Sequence, residues 1–117
     1  LKEQGLTLES VPTSGQIVQL RANSNISTGG DSIDMTDQMH DSYKQLAVGI
    51  AHAMGAKVCG VDLIIPDLTK PAEASLSSWG VIEANFNPMM MMHIFPYQGK
   101  SRRLTKNVIK MLFPEVK

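Results

Sequence analysis

Three oxygen-bearing side chains stand out by type and spacing: Asp62 in the string G-V-D-L-I-I, and Glu83 and Asn85 in I-E-A-N-F-N, with Asn87 next in line. Each string has alternating apolar partners, Cys59, Val61, Leu63 and Ile65 in the first and Ile82, Ala84 and Phe86 in the second. Side chains on a strand alternate faces, so the polar residues share the face opposite the apolar ones. Pairing the two strands would bring three or four oxygen donors to one side of a two-stranded sheet. Two carboxylates and an amide carbonyl, with no thiolate or imidazole close by in sequence, form a hard-oxygen set suited to Mg²⁺ or Mn²⁺ rather than zinc. Magnesium keeps several waters and takes further ligands from substrate phosphates, so the set points to a nucleotide. The plainer account is a solvated strand face, the commoner fate of alternating polar residues. Asn85 and Asn87 weigh against it, because asparagine is depleted in strands.

A second candidate is the stretch from Asn23 to Asp34, N-S-N-I-S-T-G-G-D-S-I-D, built almost entirely of turn-forming residues. Ser27, Thr28, Gly29 and Gly30 could present successive backbone N–H groups of the kind that surround phosphate. The spacing is not that of a P-loop, and a plain surface loop is the competing reading. Arg21 stands at the mouth of this loop, and a guanidinium there suits phosphate oxygens. Met89 to Met92 reads as adaptable filler of a core or groove, and His93 after it as structural. Lys100, Arg102 and Arg103 precede or enter a helix where positive charge opposes the macrodipole. They read as a solvated cluster, or as a group directed at a carboxylate or phosphate.

The elements that must position these residues follow from periodicity. Gln16 to Arg21 alternates well enough to predict a strand. Asp41 is the expected N-cap of a helix whose apolar face is Tyr43, Leu46, Ala47, Ile50 and Met54, with Gly55 as its stop. Lys57 to Ile65 and Trp79 to Asn87 predict an antiparallel hairpin with a wide loop between Pro66 and Ser78. Leu104, Val108, Met111 and Leu112 mark an amphipathic helix that stops at Pro114. The order of elements predicts an α+β fold, an antiparallel sheet flanked by helices.

Composition narrows the function classes. The 117 residues hold eleven Lys and Arg against eleven Asp and Glu, a formal net charge of zero. Such a balance, with no basic block, lacks the electrostatic footprint of non-specific nucleic-acid binding or of anionic-membrane binding. No apolar run approaches the roughly 18–20 residues that span a bilayer, and no signal peptide opens the chain, so a cytoplasmic location is expected. The single cysteine, Cys59, excludes an internal disulfide framework and a cysteine-based zinc site. The chain begins at Leu1 rather than Met and is expected to be a piece of something longer.

Three strings together resemble the C-terminal part of ATP-grasp ligases: L-R-A-N-S-N-I-S-T-G-G-D-S-I-D-M-T-D (Leu20 to Asp37), G-V-D-L-I-I-P-D (Gly60 to Asp67) and I-E-A-N-F-N-P (Ile82 to Pro88). Within that superfamily they look most like the glutathione synthetase module of the bacterial bifunctional glutamate–cysteine ligase/glutathione synthetases. Cyanophycin synthetase is the alternative, since it shares a similar N-x-S-T-G-G loop and E-x-N-x-x-P strand. The resemblance implies that residues 1–117 form one partial domain, the C-terminal portion of an ATP-grasp fold, with the ATP-binding half and any upstream ligase domain outside it. It implies that Asp62, Glu83 and Asn85 hold two Mg²⁺ or Mn²⁺ ions bridging the ATP phosphates. Arg21 would be catalytic, contacting phosphate and the acyl phosphate, and Asn23, Asn25, Ser27, Thr28, Gly29 and Gly30 would lie where that intermediate and the acceptor amine are held. The implied reaction is phosphorylation of the γ-glutamylcysteine carboxylate by ATP, then attack by the amine of glycine to form an amide. The resemblance further implies small-molecule substrates only, a homodimeric full-length parent and an isolated chain without activity. This chain has Met89 where the family commonly has a small residue, so the acceptor stays open between glycine and another amino acid. A non-catalytic metal-binding or interaction module is the reading from another class.

Overall fold

The computed structural model describes residues 1–20, 25–75 and 78–115. The chain divides into two compact units, residues 1–31 and 32–117.

The first unit is built from turns. A 3₁₀ turn at Lys2–Gln4 opens it. The Gln4 side chain then stands in for a missing strand: its Nε2 donates to the Gln19 carbonyl at 2.7 Å, and its Oε1 accepts from the Gln19 N–H at 3.0 Å. The strand expected from Gln16 onward does not form over its described part, residues 16 to 20. Two of the three apolar residues there, Ile17 and Leu20, are 82% and 79% exposed, and Val18 is half-buried. Alternation makes a strand only where a partner edge and a surface to cover exist, and the described residues of this unit offer neither. A second 3₁₀ turn, Ile26–Thr28, opens the described part of the polar loop.

The second unit carries the regular elements: helix α1 (Asp41–Ala53), strands β1 (Gly60–Ile64) and β2 (Gly80–Asn85), a single helical turn α2 (Met91–Ile94) and helix α3 (Leu104–Leu112). The expected hairpin is present, antiparallel and two-stranded, with ends trimmed by one to three residues from the predicted limits. Its wide connection contains the 3₁₀ turn Ala72–Ser75. Helix α1 packs on β1. The expected apolar face is the one that turns inward, with Tyr43 3% exposed, and the helix ends just before Gly55, whose positive φ breaks it. Its N-cap, however, is His40 and not Asp41. The His40 Nδ1 accepts from the Ser42 N–H at 3.2 Å, and Asp41, one residue inside, pairs with Lys44 at 2.8 Å.

The core is small. Tyr43 meets Trp79 edge to face with ring centroids 6.0 Å apart, and Trp79 Nε1 donates to the Ala72 carbonyl at 2.9 Å. Ala72, itself 6% exposed, donates its N–H to the Ser42 hydroxyl at 2.9 Å, so helix, connection and the entry to β2 are tied at one point. Helix α3 forms where expected and lines a groove with α1 and β1, in which Met90 and His93 also sit. Leu112 on α3 remains 61% exposed. No helix among the described residues is long and apolar enough to cross a membrane.

Candidate functional site

The hairpin register places Asp62 directly across from Glu83, and Gly60 across from Asn85. Two residues separate Asp62 from Gly60 and Glu83 from Asn85, so the carboxylates and the amide share one face, as the alternation predicts. Asp62 and Glu83 are exposed and Asn85 is half-buried. Asn87 lies beyond the end of β2, so the set is three residues and not four.

The apolar side of the hairpin differs from expectation at Phe86, which lies beyond the end of β2 and is 66% exposed, and at Ile82. The register slips between Asp62 and Leu63, putting Val81 opposite Leu63 and leaving Ile82 as an extra residue without a partner. Ile82, expected on the covered side, is 62% exposed, and Val81, which stands opposite Leu63 instead, is itself 47% exposed. A bulge of this kind bends and twists the strand that carries it. The bend falls immediately before Glu83.

Two carboxylates directly opposite one another on a sheet repel. Among the described residues no ion pair includes Asp62 or Glu83; the nearest relief is Asn85 Nδ2, which donates to Glu83 Oε1 at 3.5 Å, the outer limit of a hydrogen bond. The other end of that amide, Asn85 Oδ1, is buried with no hydrogen-bond partner. A buried carbonyl oxygen without a donor is costly and calls for an explanation. A divalent cation beside these residues would relieve the carboxylate repulsion, and once the Asn85 amide turns over, since Nδ2 and not Oδ1 now faces Glu83, it would also take up the amide oxygen; with that turn the donor set fits Mg²⁺ or Mn²⁺. No cluster of three His, Cys, Asp or Glu able to hold a metal exists among the described residues, which leaves two carboxylates plus an amide as the available chemistry.

The described part of the polar loop spends its donors on itself. Asn25 caps the turn, its Oδ1 accepting from the Ser27 N–H at 3.0 Å and the Ser27 hydroxyl at 2.8 Å. The N–H groups of Thr28 and Gly30 donate to the Asn25 carbonyl at 3.1 and 3.0 Å, and that of Gly29 to Ile26 at 3.1 Å. The expected row of free N–H groups at Ser27, Thr28, Gly29 and Gly30 is therefore closed in this conformation. Arg21 and Asn23 lie outside the described residues.

One constellation was not anticipated in this form. Arg102 grips Asp34 with both ends of its guanidinium, Nε at 3.0 Å and Nη2 at 2.5 Å from Oδ2, and reaches Asp37 Oδ1 at 2.9 Å. Lys100 Nζ binds the other oxygen of Asp37 at 2.5 Å. The backbone joins in: Asp34 N–H donates to the Gln98 carbonyl at 2.8 Å, and Ile33 forms a parallel bridge with Gln98. Gly99 permits this approach, because a Cβ there would fall 2.8 Å from the Asp34 Cβ. The Arg102 guanidinium, then the Thr36 hydroxyl, hold the Asp34 carboxyl far below the usual carboxylate range. Lys100 first and Arg102 second lower Asp37. The basic cluster is thus a structural latch for carboxylates of its own chain. Its sequence signal was the pair of acids in S-I-D-M-T-D and the pair of cations in K-S-R, too far apart to be joined without a fold.

No family model matches the chain. The chain is 82% identical over 116 residues to the glutathione biosynthesis bifunctional protein GshAB of Pasteurella multocida, and 83% identical to that of Mannheimia succiniciproducens. The counterpart in Enterococcus faecalis is 61% identical. Each match takes in 99% of this chain and 15% of the relative. A crystal structure of a bifunctional glutathione synthetase from Pasteurella multocida superposes with a TM-score of 0.81 at 82% identity, over 98% of this chain and 16% of that one. The chain belongs to the family of bifunctional glutathione biosynthesis proteins, corresponding to a segment about 15% of their length.

Proposed function

We propose that this chain supplies the metal and phosphate wall of an ATP-grasp ligase that makes glutathione. The observation that carries the proposal is the Asp62–Glu83 pair with the unsatisfied Asn85 oxygen beside it. The names and identities of the relatives support the substrate class. The reaction would join γ-glutamylcysteine to glycine through an acyl phosphate at the expense of ATP, in the cytoplasm.

Asp62, Glu83 and Asn85 would hold Mg²⁺ or Mn²⁺, which when bound offsets the charge of ATP phosphates. The chain's own part is to keep two carboxylates opposed on a rigid hairpin, so that their geometry is set before nucleotide arrives. Arg21 would meet the transferring phosphoryl group, and Asn23 together with Asn25, Ser27, Thr28, Gly29 and Gly30 would adjoin the acyl phosphate and the acceptor. For the loop to do so, the hydrogen bonds that now close it on Asn25 must open. The adenine-binding half lies in the remaining length of the parent, which we take to be a homodimer, and the 117-residue chain alone should be inactive.

The test is ADP release by the full-length protein. Turnover that requires both γ-glutamylcysteine and glycine is expected, with aspartate plus arginine as the cyanophycin control. Turnover with the control pair, or none with the first, would reject the assignment. Ordinary turnover by the isolated chain would reject its role as a wall only.

A further inference from the structure

Gly60 begins β1 directly opposite Asn85, and its backbone does not require glycine, since its φ is not among the positive ones. Glycine in a strand loses backbone entropy and packs nothing, so it marks a place where another group comes close. Here the group is the Asn85 amide. A Cβ at position 60 would lie 3.0 Å from Asn85 Nδ2, 3.3 Å from Asn85 Oδ1 and 3.0 Å from the Pro88 Cβ. Both ends of the amide thus occupy the space a methyl group would fill. Pro88 is part of a stiff ring, so the Asn85 side chain is the part that must yield.

We infer that Gly60 is a positioning residue for Asn85. Its missing side chain leaves room for the whole amide against β1 beside Glu83, where Nδ2 now faces the carboxylate and a turn of the amide would present Oδ1 as the third oxygen donor. The inference rests on the cation site proposed above. Groups that orient a metal ligand without touching the metal typically alter affinity about 10–100-fold when replaced.

The experiment uses the full-length protein, with Mn²⁺ binding followed by electron paramagnetic resonance in the presence of an unreactive ATP analogue, and thermal melting in parallel. Gly60→Ala should weaken Mn²⁺ binding roughly tenfold or more with little change in melting. Asn85→Ala should weaken it as well, and the double variant should bind no worse than Asn85→Ala alone, because the two changes act on one group. Wild-type Mn²⁺ affinity in Gly60→Ala, or additive losses in the double variant, would overturn the inference. If Asn85→Ala is weakened and Gly60→Ala is not, positioning fails while the cation site stands. If Asn85→Ala and Asp62→Ala both bind as wild type, the cation site itself fails. Should Gly60→Ala not fold, the double variant decides: recovery of folding on removing the amide supports the inference, and continued failure refutes it.

Discussion

The second unit holds two acidic pairs that the structure treats in opposite ways. Asp34 and Asp37 are surrounded by Arg102, Lys100 and the Thr36 hydroxyl, so their charge is answered within the chain. Asp62 and Glu83 face each other across a sheet and, among the described residues, receive only a long contact from Asn85. The first arrangement stabilises a fold, because bidentate, partly buried arginine–carboxylate contacts are among the stronger polar interactions. The second costs stability, and it is the place where the proposed function would put a cation. Acidic residues therefore mark different things according to what lies opposite them. The sequence alone does not separate them, since a solvated face competes with a functional reading both for the cations of the latch and for the strand residues of the wall.

The largest expected effect separates the pairs by activity. In the full-length protein, Asp62→Ala or Glu83→Ala should lower the ligase rate roughly 10²–10³-fold, the usual penalty for removing one electrostatic group from a reacting site. Thermal melting should hold steady or rise, because one of two opposed charges is gone. Normal rates in both variants would reduce the wall to a wet strand face.

Adding a cation should sharpen the same contrast from the other side. Mn²⁺ with an ATP analogue at about a hundred times its dissociation constant should stabilise the full-length protein by about 2.7 kcal/mol through linkage. Asp62→Ala should abolish that shift and Arg102→Ala should keep it. Equal loss in both would mean that the latch belongs to the site.

Arg102→Ala should in turn loosen what Asp62→Ala leaves intact. Hydrogen exchange should quicken in segments 32–37 and 97–102, which this side chain holds together. Arg102→Lys should rescue only part of the loss, because an ammonium cannot reproduce the two-pronged grip on Asp34.

How much of this was legible depends on the distance between the cooperating residues. The hairpin and the Asp62–Glu83–Asn85 face follow from local alternation, and the inward face of α1 from its period, so both could be read from short windows. The bulge at Ile82 could not, because an extra residue is defined only by the partner strand's register. The strand expected at Gln16 fails for the same reason, as alternation says nothing of whether a neighbour exists. The latch joins residues 63 to 68 positions apart, and the helix cap differs from expectation by one residue because the His40 ring does what a carboxylate was expected to do. For the loop, composition correctly announced turns, but which carbonyl each N–H would choose is settled by the Asn25 cap.

The smallest effect expected is an acid limb of stability that belongs to the satisfied carboxylates. Asp34, Asp37 and Asp67 all have folded values below the ordinary 3.8, and Asp67 is lowered to about 2 by the Thr69 hydroxyl and Lys70. A carboxyl depressed in the folded state binds a proton more readily when unfolded. Its stabilising contribution is therefore complete above its unfolded value and is lost as pH falls through the folded one. For Asp67 that window runs from 3.8 down to about 2, and for Asp34 it extends lower still. Melting of the 117-residue chain should accordingly decline as pH is taken below about 4. Asp67→Asn should narrow the decline slightly, and Asp34→Asn should narrow it more while lowering stability at neutral pH. If Asp34→Asn leaves both the neutral stability and the acid slope unchanged, the latch contributes nothing, and the contrast between the two acidic pairs collapses.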